Sequence, residues 1–138
     1  MLLIAGLDLR WGWSPPLPLA LRLAGLVVVV LGSATASWAM LSNAYFSTGV
    51  RIQEERGHRV VSKGPYRYVR HPGYSGFSLS NLGLPLMLGS AWALIPGGLL
   101  SSAMIIRTVL EDRTLHEELE GYEAYARKVR YRLIPGIW

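Results

Sequence analysis

Residues 63–76 read KGPYRYVRHPGYSG, and they open onto an apolar run that carries no charge as far as Ile106. Lys63, Arg67, Arg70 and His71 stand among three tyrosines, with glycine or proline wherever the backbone must turn. A polar, turn-rich loop set directly against uncharged chain describes a membrane border, with a binding pocket at its surface. The bilayer core, about 30 Å thick, takes roughly 20 helical residues to cross. The segment 73–106 is therefore long enough to cross twice, with spans at about 73–89 and 91–110. Gly89 and Ser90 mark the turn, and Trp92 suits an interfacial anchor on the far side. Each leg is slightly short and is expected to continue into charged residues at its cytoplasmic end. Pro85 and Pro96 are expected to kink the legs.

Upstream of the loop, a further span is expected over 17–41, centred on LAGLVVVVLG. Arg22 can snorkel at its start, and Gly25, Gly32, Ser33 and Ala36 give it small faces for close helix packing. Residues 1–9 are apolar but too short to span, end at Asp8 and Arg10, and lack the features of a signal peptide. They read as an interfacial segment or the remnant of a longer relative's span, and WGWSPP at 11–16 reads as an interfacial turn. The connection 43–72 carries Arg51, Arg56, Arg59, Lys63, Arg67 and Arg70 against Glu54 and Glu55, which by the positive-inside rule places it in the cytoplasm. The tail 111–138 carries Arg127, Lys128, Arg130 and Arg132 and is expected on the same side. Beyond Arg107 the pattern, with Val109, Leu110, Leu115 and Leu119 at helical spacing among acids and Arg113, reads as amphipathic and stops near Gly121.

The expectation is an all-α integral membrane protein of about three transmembrane helices. A cofactor-binding loop and an amphipathic C-terminal helix would lie in the cytosol, and residues 1–138 would form one domain. A length of 138 residues allows one domain, and 51% apolar with 17% charged residues departs from the soluble average of about 25% charged. The absence of cysteine removes disulfides, thiolate nucleophiles and sulfur-ligated metals. The net charge of +5 sits beside the spans, where lipid headgroups and orientation explain it better than nucleic acid does. His58, His71 and His116 share no short ligand spacing, so no metal is expected. No GxGxxG or phosphate-loop motif is present, so a nucleotide-like cofactor would have to bind at the membrane edge.

Within this frame, His71 and Pro72 read as a helix entry, where the amides of Gly73 and Tyr74 are placed to receive an anion or simply to begin a span. Gly76, Ser80 and Gly83 favour close approach of another helix over that of a flat ligand. Tyr66, Tyr68 and Tyr74 suit a purine, a cation or the interfacial belt. Arg107 and Glu111 lie one helical turn apart at the mouth of the last span, where an inward-facing pair is costly unless it is functional.

Taken in order, GPYRYVRHPGYSG, a hairpin ending in LGS and W, RTVLEDRTL and GYEAYARKVRYRLIPGIW resemble the isoprenylcysteine carboxyl methyltransferase family of membrane enzymes. The likeness covers about 43–138. RHPxYxG is shared with phospholipid N-methyltransferases, and the ending also resembles sterol reductases that use NADPH. The family resemblance implies S-adenosyl-L-methionine bound on the cytosolic side and a lipophilic small molecule or lipidated acceptor entering from the membrane lipids. Carried over by motif, the cofactor contacts fall on Gln53, His58, Arg59, Val60, Val61, Tyr66, His71, Pro72, Gly73, Tyr74 and Glu111. Arg107 would meet the acceptor. Where the family has a pair of glutamates, this chain has Glu111 and Asp112; the segment from Gln53 to His58 is short; and additional N-terminal spans are usual, so the chain reads as truncated or minimal. The competing readings are a polyprenoid reductase using NADPH, which its length disfavours, and a non-catalytic membrane subunit. Small-residue faces make a homo-oligomer plausible.

Overall fold

The computed structural model describes residues 1–45 and 59–138. The described residues form helices and turns without a strand: α1 Leu2–Trp11, α2 Leu19–Ser42, a 3-10 turn Gly64–Arg67, α3 Pro72–Leu88, α4 Leu94–Glu118 and α5 Tyr122–Lys128. The all-α expectation therefore holds. Two of these helices, Leu19–Ser42 and Leu94–Glu118, are long and apolar enough to cross a membrane. Between them α3 has 17 residues, about 25 Å of helix at 1.5 Å per residue.

The chain forms two compact units, one of residues 1–34 and 76–104, the other of residues 35–75 and 105–138. In the first, the usual distribution of side chains is inverted. Leu21, Leu23, Leu26, Val27, Val30 and Leu31 are exposed, whereas Ala5, Asp8, Ser90, Ala93 and Ser101 are buried. Small and polar residues inside, with branched aliphatics outside, suit helices surrounded by lipid, where close backbone approach replaces the hydrophobic effect as the packing force. Glycine permits that approach. A methyl group on Gly32 would lie 2.6 Å from Ser80 Oγ and 2.7 Å from the Gly76 carbonyl, and one on Gly25 would lie 2.8 Å from the Gly83 carbonyl. Gly76, Ser80 and Gly83 thus serve helix packing, the reading favoured from sequence.

The hairpin turn falls where expected, with Gly89 at φ +79°. Pro85 lies inside α3. Pro96, expected to kink the second leg, instead occupies the first turn of α4, where its missing N–H leaves no bond unmade. Asp8, which in the sequence only ended an apolar run, is 2% exposed. Its carboxylate accepts from the Ser14 amide and hydroxyl, both at 2.8 Å, and from the Ser90 hydroxyl at 2.5 Å. Those bonds hold α1 to the turn after α3.

The second unit has a small aromatic core of Leu119, Tyr122 and Tyr125, against which Val60, Leu115, Ala126 and Val129 pack. The acidic 108–118 segment continues α4 rather than forming a separate helix, and Gly121, at φ +81°, caps the start of α5.

Candidate functional site

The second unit brings together three stretches that are remote in sequence. The approach to α3 is pinned to the C-terminal tail, since the amides of Arg70 and His71 donate to the carbonyls of Tyr131 and Arg132, both at 2.9 Å. Ser75, one turn into α3, donates its hydroxyl to the Leu133 carbonyl at 2.6 Å. Pro72 opens the helix, so Gly73 and Tyr74 are first-turn residues whose amides have no intrahelical acceptor. The third stretch is the last part of α4, from Arg107 to Asp112.

Tyr74 joins two of its residues. Its hydroxyl donates to Glu111 Oε2 at 2.5 Å and accepts from Arg107 Nε at 2.7 Å. The Arg107 guanidinium also lies over the Tyr74 ring, 5.5 Å from its centre, a favourable cation–π placement. His71 stacks on the same tyrosine: its ring and that of Tyr74 are 5.9 Å apart and inclined by 11°. His71 Nδ1 lies 3.9 Å from Glu111 Oε1, and the Glu111 side chain keeps 24% of its surface. Acid, imidazole, phenol and guanidinium thus converge, with the acid still open to a ligand. Arg107 and Glu111, paired in the sequence by helical spacing alone, share one hydroxyl in the structure.

Behind them lies a second carboxylate, Asp112, which the sequence reading set beside Glu111 without giving it a role of its own. Asp112 is 2% exposed and is gripped by Arg70 through two parallel bonds of 2.8 and 3.0 Å. Arg132 Nε reaches it at 2.8 Å, Tyr122 Oη at 2.8 Å and His71 Nε2 at 3.2 Å. Arg70 also donates to the carbonyls of Val129 and Arg130. Burial, and next the negative charge of Asp112, push the Tyr122 phenol well above the ordinary tyrosine range, so it remains a neutral donor. Burial likewise raises Tyr125, whose hydroxyl donates to the Tyr66 carbonyl at 2.6 Å. Tyr66 is itself buried and accepts from Asn43 at 3.2 Å. Burial and the charge of Glu111 raise its phenol against that bond.

Of the residues carried over by motif, Tyr66, His71, Pro72, Gly73, Tyr74, Arg107 and Glu111 all lie in this unit. Val60 packs on the aromatic core, Val61 is half-buried and Arg59 is exposed. Gln53 and His58 lie outside the described residues. Arg70, Asp112, Tyr122 and Arg132 were missed as a group. The available signal was an acid beside Glu111 in a chain whose central loop and tail both supply arginines.

Residues 24–120 match the model of the isoprenylcysteine carboxyl methyltransferase (ICMT) family. The chain belongs to that family. Relatives of this ICMT-family chain include a probable protein-S-isoprenylcysteine O-methyltransferase of Oryza sativa subsp. indica, 31% identical over 113 residues, covering 76% of this chain and 56% of the relative. The protein-S-isoprenylcysteine O-methyltransferase of Saccharomyces cerevisiae is 33% identical over 82% of this chain and 46% of its own length. The human enzyme of that name is 30% identical over 79% of this chain and 39% of its own. The chain thus spans about half the length of these relatives, or less.

Proposed function

We propose that the chain is a membrane methyltransferase that uses S-adenosyl-L-methionine and acts on a lipophilic acceptor, in the manner of an isoprenylcysteine carboxyl O-methyltransferase. The observation that carries the reading is the Arg107–Tyr74–Glu111 group, which sets a cation and a partly open carboxylate on either side of one hydroxyl. The donor set fits such a cofactor. A carboxylate and an aromatic ring suit a sulfonium and an ammonium group, while the first-turn amides of α3 suit an acid. When bound, S-adenosyl-L-methionine supplies an electrophilic methyl group. Glu111 balances its positive charge, with His71, Pro72, Gly73, Tyr74 and Tyr66 around it and Arg59, Val60, Val61, Gln53 and His58 completing the set. Arg107 pairs with an acidic acceptor and aligns it. A carboxylate acceptor is already ionised near neutrality, so the residues need to position and exclude water rather than remove a proton.

In this reading residues 1–138 act as one membrane domain. The spans are about 17–41, 73–89 and 91–110; the loop 43–72 and the tail 111–138 face the cytoplasm. The inverted surface of the first unit supports the spans, and the excess of cations in the loop supports that orientation. The test is calorimetric titration of the purified protein with S-adenosylhomocysteine and, in parallel, NADPH, followed by methyl transfer to lipophilic acids. Wild type should bind the first ligand only, and Arg107→Ala and Glu111→Ala should lose turnover by about 10²-fold or more while remaining inserted in membrane. Binding of NADPH alone would make it a reductase, and binding of neither ligand by folded protein would make it a non-catalytic subunit.

A further inference from the structure

Asp112 follows Glu111 directly, yet it has nothing left to offer a ligand. A carboxylate presents about four lone-pair sites, and Asp112 already receives Arg70 twice, Arg132, Tyr122 and His71 at 2.8 to 3.2 Å. It is closed to solvent, whereas Glu111 remains partly open. Consecutive helical residues point about 100° apart, so one step along α4 separates a carboxylate that faces the site from one that faces its support.

We propose that Asp112 is the positioning residue of this site and acts through His71. A carboxylate accepts only, so the His71 nitrogen that meets it must carry a proton. That bond fixes Nε2 as the protonated atom and turns Nδ1 toward Glu111. The orientation passes onward by contact: the His71 ring lies parallel to the Tyr74 ring, and the Tyr74 hydroxyl holds both Glu111 and Arg107. His116 does not compete for this role, because its Nδ1 donates to the Asp112 backbone carbonyl at 2.7 Å. The two guanidiniums complete the device. Arg70 binds the carboxylate and the carbonyls of Val129 and Arg130 together, and Arg132 binds it from the tail itself. The carboxylate therefore sets the imidazole and fastens the segment beside it at the same time. A ring that supports a ligand-facing group is set by the hydrogen bond at its other nitrogen, and here Asp112 makes that bond.

The inference rests on the proposed function only in assigning a cofactor to Glu111; its first readout needs no cofactor. Full-length protein in lipid nanodiscs, labelled with ¹⁵N-histidine, is compared with Asp112→Asn and Asp112→Glu, with His58→Gln and His116→Gln to assign the signals. Wild type should show His71 protonated at Nε2, Asp112→Asn should lose that single state, and Asp112→Glu should restore it. In parallel, affinity for S-adenosylhomocysteine should fall by about 10–100-fold in Asp112→Asn, the range found when a supporting contact is removed, and recover in Asp112→Glu. Failure of wild type to bind that ligand would count against the proposed function, leaving the His71 signal to decide this one. A wild-type His71 protonated only at Nδ1 overturns the proposal even if Asp112→Asn does not fold, as does a folded Asp112→Asn with unchanged His71 signals and ligand affinity.

Discussion

Asp8 and Asp112 are buried to the same degree, at 2% exposure, and are held by opposite means. Around Asp8 the donors are neutral: backbone amides of Ser14 and Trp92 and the hydroxyls of Ser14 and Ser90. Around Asp112 they are chiefly ionic, with two guanidiniums, an imidazole and a phenol. A buried carboxylate must be hydrogen-bonded wherever it lies, but the two solutions have different consequences. Hydroxyls satisfy the acid and join a helix to a turn. Guanidiniums bring rigid planar forks, and that of Arg70 also holds the carbonyls of Val129 and Arg130, so that one acid organises several stretches of chain. The first arrangement suits a unit with an aliphatic exterior; the second suits a unit that must hold charged groups in fixed directions.

The contrast predicts unequal costs. Asp112→Ala leaves two guanidiniums without their counter-charge and should destabilise the protein by about 3–5 kcal/mol, read from denaturant unfolding in detergent. Asp8→Ala strands only neutral donors and should lower the midpoint by less. The reverse order would break the comparison. Next comes packing: Gly32→Val places methyl groups against Ser80 and the Gly76 carbonyl and should cost about 1–3 kcal/mol in the same assay. An unchanged midpoint would mean that the helices separate more readily than the glycines imply. The smallest effect is expected at Arg113 and Glu117, an i, i+4 pair whose side chains are 77% and 57% exposed. Arg113→Gln should leave the midpoint unmoved, and a measurable drop would show that charge outside the Asp112 group also matters.

These regions differ in how far they could be read from the chain alone. The all-helical class, the Gly89 turn and the glycine contacts follow from hydropathy and small-residue spacing, which are local. Tyr74 and the Arg107–Glu111 pair were singled out, but for separate reasons; the shared hydroxyl joins residues 33 and 37 positions apart, beyond the reach of periodicity. Asp112 was harder still, because its partners lie 42, 41, 10 and 20 positions away and an acid on an amphipathic stretch looks solvated. Asp8 was misjudged for a related reason. A single charge in a short apolar segment reads as its end, and only the partner at Ser90, 82 positions on, shows it to be interior.

The adjacency of Glu111 and Asp112 on α4 makes that helix an indexing device. One residue inserted between Thr108 and Leu110 would advance everything after it by about 100°. Glu111 would then point where Asp112 now meets its arginines, and Leu110 would occupy the direction Glu111 now takes toward Tyr74. Along this turn the chain tolerates a change of letter more readily than a change of count.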